Sequence, residues 1–512
     1  SKETKKRSEV KRMNGKELLM EEANRTKTMN NAAAYKSTLD ACLNLFASAG
    51  GMRRTDPCFL YKKYFAPAYI ENPDLAMKLL FHIRDISMGM GERDIFRGIV
   101  RQLAVDFPKS VKKNIPYFGE YGRFDDLFSL MGTPCEEEMI QFIKRQLEED
   151  EEKQRQFGKN ARISLLAKWM PSVSTSSRKT RILARKLAAL MDLSEKQYRK
   201  RLSALRSQIE LIETKLSQGG EIAYEKVPAK AILKYRSALS KRESFGSYLE
   251  AVCDGETKMN TSTVFPYEMV RPLMKARMNW WEETIPEISE KERLFLDTMW
   301  KAKKENFEAQ NALVVADGSA SMYCDEKDGV TPALIAQSLA LFYAERNQGV
   351  FHNCFITFSE HPQLIEIKGR DLLEKLLYVQ SFEEVANTDL LAVFRLILNM
   401  AVRNQLDQSE LPSTLYIVSD MEFDECTGYA GDTPFEAAKK EYEAAGYELP
   451  VVVFQNVNRW QKQFPVKKNT KGAAMTSGSQ TASFHQKVTK ETTPYDFMLQ
   501  VLLAERYRPI CA

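Results

Sequence analysis

The first three fifths of the chain carry the hydrophobic spacing of helices. NPDLAMKLLFHIRDI (72–86), ERDIFRGIVRQLAVDFP (92–108) and EEEMIQFIKRQLEED (136–150) each place apolar residues at i, i+3, i+4 and i+7. Glycine-containing breaks such as YFGEYG (117–122) separate them at short intervals. Because successive short amphipathic helices bury each other's faces, the pattern predicts a HEAT-like helical-repeat module. A compact all-α bundle is the alternative.

The pattern changes near Asn311, where short apolar runs rich in β-branched and aromatic residues begin to alternate with helical segments. This alternation predicts a doubly wound α/β domain with a parallel sheet covered on both faces. The last part of the chain predicts one more strand (KGAAMTSG), a mobile polar segment (SQTASFHQKVTKETT) and a final helix (PYDFMLQVLLAERY). The predicted strands are ALVVAD, CFITFS, TLYIVSD and LPVVVFQ, and the predicted helices are 332–346, 371–378, 388–403 and 433–445.

The length of the chain predicts more than one domain, and its composition argues against a membrane protein, a secreted protein and a zinc protein. A chain of 512 residues exceeds one hydrophobic core, and we expect a basic N-terminal extension (1–24), a helical module (25–305) and an α/β domain (306–512). There is no apolar run near the ~20 residues of a membrane helix, and the charged start lacks the apolar segment of a secretory signal. Eight scattered cysteines without a CxxC pair predict reduced thiols, no zinc site and a cytoplasmic location.

Charge is polarised along the chain. Residues 311–457 hold 23 acidic and 9 basic side chains, whereas residues 153–206 hold 15 basic and 2 acidic ones. Such blocks indicate charged partners rather than a fold. The basic block could contact a nucleic acid, another polyanion or the chain's own acidic half.

The stretch NALVVADGSASMYCDE (311–326) carries the candidate chemistry. Asp317, Ser319 and Ser321 alternate where the first strand of the α/β domain ends, and ligands bind at the carboxyl ends of such strands. A carboxylate and two hydroxyls are hard oxygen ligands, suited to Mg²⁺, Ca²⁺ or Mn²⁺ rather than zinc or copper. Asp420 follows another strand, and Thr388 begins a helix. The alternative is that these are only turn and cap residues.

This set resembles the metal-ion-dependent adhesion site (MIDAS) of von Willebrand factor type A domains. The resemblance implies a triplet of Asp317, Ser319 and Ser321, with Thr388 as fourth ligand and Asp420 as fifth. Asn387 stands where family members often carry glycine, which weakens the assignment of Thr388. Hydroxyl and water ligands would leave the cation an exchangeable position for a partner's carboxylate or phosphate. We expect the acidic side chains at 325, 326 and 328 to form a solvated rim.

The helical part resembles the Ro autoantigen (TROVE) family, which joins a ring of helical repeats to a type A domain. The resemblance lies in 89–108, 120–130, 193–218 and 224–252, and a poorly characterised related family with the same two modules is an equally close match. It implies binding of small structured RNA outside the ring and of misfolded RNA ends in its hole.

The residues themselves also favour RNA binding. The basic block at 153–206 contains Phe157, Trp169 and a Ser/Thr-rich loop, and such basic and aromatic side chains can contact phosphates and stack on bases. Singly, Phe157 and Trp169 are better explained as core residues, and Leu202 and Leu205 should face the core. NWWEET (279–284) should pack where the two domains meet. The candidate RNA contacts are Lys159, Arg162, Lys168, Arg178, Lys179, Arg181, Arg185, Lys186, Lys196, Arg199 and Lys200.

Three functions follow from these observations. We predict an RNA-binding, Ro-like ribonucleoprotein component whose metal site recruits a protein or other anionic ligand, without catalysis and without a membrane. The first alternative is a metal-dependent adaptor that binds no RNA. The second is a metal-dependent nuclease using Asp420, Glu422, Asp424 and Glu425, although no phosphate loop, nucleophile elbow or paired histidine supports an enzyme.

Overall fold

A computed structural model of the chain shows an all-α module followed by an α/β domain, which confirms the predicted fold class. It describes residues 14–209, 212–275, 288–305, 307, 311–324, 329–358, 361–382, 388–426, 428–429, 431–459 and 462–512, except for the side chains of residues 159, 214 and 275. Its first part holds a short hairpin of β1 (Arg25–Lys27) and β2 (Ala33–Tyr35). The helices are α1 (Gly15–Asn24), α2 (Ala41–Ser48), α3 (Pro57–Leu60), α4 (Ala66–Glu71), α5 (Pro73–Arg84), α6 (Arg93–Asp106), α7 (Pro108–Asn114), α8 (Phe118–Tyr121), α9 (Glu136–Phe157), α10 (Leu166–Trp169), α11 (Arg178–Leu190), α12 (Glu195–Arg206), α13 (Ile212–Gln218), α14 (Ala229–Leu239), α15 (Glu243–Cys253), α16 (Pro266–Lys275) and α17 (Glu290–Ala302).

The α/β domain is built on a six-stranded sheet in the order β5-β4-β3-β6-β7-β8. All neighbouring strands are parallel except β5, a short antiparallel edge strand that the sequence pattern did not predict. The four predicted apolar strands and the strand in KGAAMTSG are confirmed. The elements are β3 (Ala312–Asp317), α18 (Pro332–Arg346), β4 (Cys354–Phe358), β5 (Leu364–Glu366), α19 (Leu372–Gln380), α20 (Leu390–Asn404), β6 (Thr414–Ser419), α21 (Pro434–Ala444), β7 (Val451–Asn456), β8 (Ala473–Ser477) and α22 (Pro494–Leu502).

The polar segment 479–493 is packed at its start, so the prediction of a mobile segment is wrong there. Gln480 and Ser483 are buried, and the Ser483 hydroxyl donates to Gln455 Oε1 (3.0 Å). The Gln455 side chain in turn donates to the Gln480 carbonyl (3.0 Å). Polar residues are buried here because they hydrogen-bond to one another, which hydropathy alone does not predict.

The helical module contacts the α/β domain at both of its ends. Near its start, the carbonyl of Phe46 in α2 accepts a hydrogen bond from the hydroxyl of Ser477 in β8 (2.7 Å). Near its end, Asp297 in α17 accepts one from the backbone N–H of Leu372 (3.0 Å). Both contacts lie in buried surroundings. The predicted contact through NWWEET falls outside the residues that the structure describes, and the division at residue 306 stays a prediction.

Segments from the first part of the module also contact the start of α16. The guanidinium carbon of Arg53 lies 4.8 Å from the ring centroid of Tyr267 in α16. Gly91 has a φ of 70°, and a Cβ there would lie 2.6 Å from the ring of Phe265, so this approach requires glycine. The segments that follow α2 and α5 therefore contact the start of α16, far along the module.

The EYGRFDD stretch (120–126) has a structural role in this module. Asp126 is fully buried and accepts hydrogen bonds from the Nε atoms of Arg84 (2.7 Å) and Arg97 (2.6 Å). A Cβ at Gly122 would lie 2.3 Å from Asp126 Oδ2. The stretch therefore joins α5 and α6 through a buried ion pair.

Candidate functional site

The candidate site lies at the carboxyl ends of β3 and β6, two neighbouring parallel strands in the middle of the sheet. β3 ends at Asp317, and β6 ends at Ser419, immediately before Asp420. Because parallel strands end at the same edge of a sheet, the two aspartates face each other across the strand ends. Their mutual electrostatic repulsion, described below, reflects this proximity.

The Asp-x-Ser-x-Ser triplet folds back on itself. Asp317 Oδ1 accepts a hydrogen bond from the backbone N–H of Ser319 (2.9 Å), and Oδ2 accepts one from the hydroxyl of Ser419 (2.6 Å). The hydroxyl oxygens of Ser319 and Ser321 lie 3.0 Å apart. The Ser321 hydroxyl also interacts with the Asp420 carboxyl and lowers its pKa. The structure therefore brings the triplet and Asp420 together.

Asp420 supplies an unsatisfied atom. Its side chain is fully buried, and Oδ1 accepts a hydrogen bond from the backbone N–H of Glu422 (3.1 Å). Within the described part of the chain, Oδ2 is buried without a hydrogen-bond partner. A buried carboxylate oxygen without a partner is costly, and a cation would relieve that cost. The donor set of two carboxylates and two hydroxyls fits a hard divalent ion.

Burial and mutual repulsion hold the two carboxyls away from their charged form. Burial, reinforced by the nearby Asp420, raises the pKa of Asp317 to about 7, and hydrogen bonds from Ser419 and Ser319 oppose this shift only in part. Burial likewise raises the pKa of Asp420. Two anions packed together with little solvent favour either a shared proton or a cation.

The metal-free protein should lose stability as pH rises. An unfolded aspartate titrates near ~3.9, so between about pH 4 and 7 the folded protein binds more protons at Asp317 than the unfolded chain does. The free energy of unfolding therefore falls as pH rises through that window. We expect the thermal midpoint in EDTA to fall more steeply across it for the wild type than for Asp317→Asn, which cannot ionise. Parallel pH profiles for the two proteins would contradict the assignment.

Thr388 is buried beside the loop that follows β6. Its hydroxyl lies 2.9 Å from the Glu422 carbonyl and 3.0 Å from Asn30 Nδ2. Its own carbonyl accepts a hydrogen bond from the backbone N–H of Asp424 (2.9 Å). These contacts place Thr388 next to the segment directly after Asp420, and none of them joins it to Asp317 within the described residues. Asn387 and the acidic rim at 325–328 lie outside the described residues.

The carboxylates of the acidic run after β6 differ in burial and in their partners. Glu422 is buried, and its two oxygens accept hydrogen bonds from the Met29 backbone N–H (2.7 Å) and the Gln463 side chain (2.7 Å). Glu425 is exposed and pairs with Lys27 at 3.3 Å. Glu422 therefore anchors neighbouring segments, whereas Glu425 faces solvent.

Sequence reasoning missed Ser419 and Asn30. Ser419 is the last residue of β6, where it reads as part of an apolar strand, but its hydroxyl holds the Asp317 carboxylate. Asn30 lies in the hairpin connection far away in the chain. Local spacing carries no signal for either contact, because both depend on segments brought together only by the fold.

Some of the predicted RNA-contacting side chains already interact with other residues of the protein, and others have no ion pair within the described residues. Arg181 donates to the carbonyls of Thr175 (2.8 Å) and Ser176 (2.9 Å) and so holds the Ser/Thr-rich loop. Arg185 pairs with Glu195 (3.0 Å), Lys186 pairs with Glu136 (3.2 Å), and Lys168 lies 5.5 Å from the Trp169 ring centroid. The Lys159 side chain lies outside the described residues. Of the predicted contacts whose side chains are described, six are exposed and have no ion pair with another described residue: Arg162, Arg178, Lys179, Lys196, Arg199 and Lys200.

The aromatic residues of this block are more accessible than expected. Phe157 is 61% exposed, so its assignment to the core is wrong. Trp169 is half-buried, and the guanidinium carbon of Arg123 lies 4.1 Å from its ring centroid. Leu202 and Leu205 are buried, as predicted. The surface around α11 and α12 is therefore cationic with an accessible aromatic ring nearby.

Comparisons with known proteins match most of the chain in two parts. The family described as Domain of unknown function (DUF2828) matches residues 28–142 and 136–313, and the family described as Domain of unknown function (DUF7788) matches residues 311–491. The chain is 28% identical over 497 residues to Uncharacterized protein L728 of Acanthamoeba polyphaga mimivirus, covering 89% of this chain and 83% of that protein. The crystal structure of the Deinococcus radiodurans Ro (RSR) protein aligns with a TM-score of 0.45 and 13% identity, covering 91% of this chain and 99% of that one.

A helical module joined to a mostly parallel α/β domain defines the class of this protein. Within that class, the chain belongs to the DUF2828 family, whose profile covers more than half of it. The predicted resemblance to a poorly characterised family with a helical module followed by an α/β domain is thereby confirmed. Among the described residues, no helix is both long and apolar enough to cross a membrane.

Proposed function

We propose that the α/β domain binds a divalent cation and uses it to capture an anionic group of a partner. Asp317, Ser319, Ser321 and Asp420 would hold the ion, with Thr388 as a further ligand. Mg²⁺ suits this set best, and Ca²⁺ or Mn²⁺ share its preference for oxygen. The observation that carries the proposal is the buried Asp420 Oδ2, which has no hydrogen-bond partner among the described residues.

The ion would supply a positive centre with an exchangeable position. Hydroxyl and water ligands are neutral, so a carboxylate or phosphate can displace water from the ion without breaking a protein ion pair. The protein's own residues fix where this happens: Ser419 orients Asp317, and Glu422 is held by its own hydrogen-bond donors. A binding role follows more readily than a catalytic one, because both oxygens of Glu422 already accept hydrogen bonds that hold neighbouring segments, and Glu425 faces solvent beside Lys27.

The test is cation titration of the wild-type chain after EDTA treatment. We expect Mg²⁺ to bind saturably at one site by calorimetry, and Mn²⁺ to bind there by electron paramagnetic resonance. Adding acetate or inorganic phosphate to the Mn²⁺ form should lower the relaxation rate of water protons, because the anion displaces water from the ion. Absence of saturable binding of either cation would overturn the proposal.

A second function, RNA binding, is favoured by the cationic surface of the helical module. Phosphate contacts need lysine and arginine side chains that are not already neutralised, and α11 and α12 contribute five such side chains. Phe157 offers an exposed ring on which a base can stack. The combined proposal is that the helical module binds RNA and that the cation of the α/β domain recruits a partner protein. If this surface binds no RNA, the alternative function is a metal-dependent adaptor.

A reducing compartment such as the cytoplasm is part of the same proposal. All eight cysteines are free thiols, and Cys42, Cys135 and Cys426 are buried among packed side chains. Burial raises the pKa of the Cys42 and Cys426 thiols to about 12, so these thiols are poor nucleophiles. They act as small apolar core residues.

A further inference from the structure

The β1–β2 hairpin packs on the loop that begins at Asp420 of the candidate cation site. Its connection, Thr28–Asn31, contacts the loop Asp420–Glu425, which we call the β6 loop. The Thr28 hydroxyl donates to the Phe423 carbonyl (2.6 Å), and the Asn30 carbonyl accepts from the backbone N–H of Glu425 (3.1 Å). A segment near the start of the chain thus covers a loop almost 400 residues further along.

The base of the hairpin is fixed as firmly as its tip. Tyr35 and Phe464 exchange two backbone hydrogen bonds, at 2.9 and 2.7 Å. The chain then leads within a few residues into α2, whose Phe46 carbonyl is held by Ser477 of β8. The hairpin therefore links the helical module to the β6 loop through a short and well-anchored connection.

Asn30 makes the decisive contact. Its side-chain nitrogen lies 2.8 Å from the Glu422 carbonyl and 3.0 Å from Thr388 Oγ1. A carbonyl only accepts hydrogen bonds, so the group of Asn30 that faces it must be the NH₂. The two N–H bonds of this amide are therefore directed at the Glu422 carbonyl and at Thr388 Oγ1.

The contact determines how Thr388 can use its hydroxyl. Because Asn30 donates to Thr388 Oγ1, the threonine proton is left to donate to an acceptor, either the Glu422 carbonyl at 2.9 Å or, less closely, Asp424 Oδ1 at 3.5 Å. A hydroxyl has two lone pairs, and Asn30 occupies one of them. The second lone pair stays available to a cation, with the proton held away from it.

We propose that Asn30 is a positioning residue of the cation site, which acts by orienting the Thr388 hydroxyl. The inference rests on the proposed function, since it concerns the same cation. It adds that the site is completed by a residue from outside the α/β domain. A displacement of the hairpin, for instance by a partner bound to the helical module, would then change cation affinity.

The test compares Asn30→Ala with Asn31→Gly in full-length protein by Mg²⁺ calorimetry and Mn²⁺ resonance. Loss of a group that orients a metal ligand weakens affinity by about 10–100-fold, which we expect for Asn30→Ala. Asn31 is the exposed neighbour with a φ of 67°, a conformation that glycine adopts readily, so Asn31→Gly should keep affinity within about twofold. Unchanged affinity in Asn30→Ala would overturn the inference.

A double-mutant cycle separates positioning from general loosening of the hairpin. If Asn30 acts through Thr388, Asn30→Ala should cost nothing further in a Thr388→Ala background. An equal loss in both backgrounds would show that the hairpin, not the Thr388 hydroxyl, carries the effect, and would also overturn the inference. Melting curves in EDTA verify that each variant is folded. If the wild type binds neither cation, the proposed function itself fails, which is a distinct result.

Discussion

Replacing Asp317 with alanine is expected to abolish Mg²⁺ binding and partner capture while leaving RNA affinity within about twofold of the wild type. Asp317 supplies one of the two buried carboxylates of the site, and its loss removes a full charge from the donor set. The candidate RNA surface lies on α11 and α12 in the other domain, and phosphate contacts there do not depend on a distant carboxylate. Calorimetry with Mg²⁺ and fluorescence anisotropy with labelled RNA measure the two properties separately.

Glu366→Ala provides the matched control for this variant. Glu366 carries the same charge in the same domain, but its side chain is exposed on the edge strand β5. We expect it to leave both cation and RNA affinity nearly unchanged, as is usual for an exposed charge. If Asp317→Ala weakened RNA binding as strongly as cation binding, the two activities would not be separable.

Reversing four cations of the helical module is expected to weaken RNA binding at least about 100-fold at about 0.15 M salt. The residues are chosen because, among the described side chains, they are exposed and have no ion pair, so their reversal does not break an internal contact. Arg181, Arg185 and Lys186 are left intact because each of them holds another part of the module. The four changes are Arg178→Glu, Lys179→Glu, Arg199→Glu and Lys200→Glu.

The salt dependence of affinity gives a second readout. Each phosphate contact to single-stranded RNA contributes about 0.7 to the slope of log affinity against log salt, so the variant should show a shallower slope. A control with the same charge change on other surfaces should retain RNA affinity. Its four exposed sites are Lys62, Lys368, Lys439 and Lys487, each changed to glutamate. Equal losses of RNA affinity in both variants would show that net charge, and not this surface, determines RNA binding. If the wild type binds no RNA at low salt, the function that remains is the metal-dependent adaptor.

The α/β domain illustrates what the sequence can predict. Its strands are buried on both faces and are therefore continuous apolar runs in the sequence. Because these runs alternate with helices, the strands are expected to be parallel, and the loops that follow them lie at one edge of the sheet. Asp317 and Asp420 could therefore be assigned to one site from the sequence alone, because each follows such a run. The short strand β5 escaped notice because Leu364 and Glu366 are exposed and only Ile365 is buried.

The parts that could not be predicted depend on contacts between distant segments. Asn30 and Thr388 meet only because the hairpin lies on the β6 loop, and neither residue is unusual in its own stretch. Gln480 and Ser483 read as a polar linker, but they are buried because they satisfy one another and Gln455. Phe157 ends a long helix whose apolar stripe has already stopped, so the ring projects into solvent. Periodicity reports one element at a time and misses such pairings.

The anchoring of the hairpin has a consequence for biosynthesis. β1 and β2 leave the ribosome well before their partners around Asp424 and Phe464, which are made roughly 400 residues later. At translation rates of about 5–20 residues per second, the nascent hairpin waits on the order of 20–80 s for these partners. Its own strands are only three residues long each, too short for independent stability. We therefore expect the hairpin to dock only after the α/β domain has been synthesised.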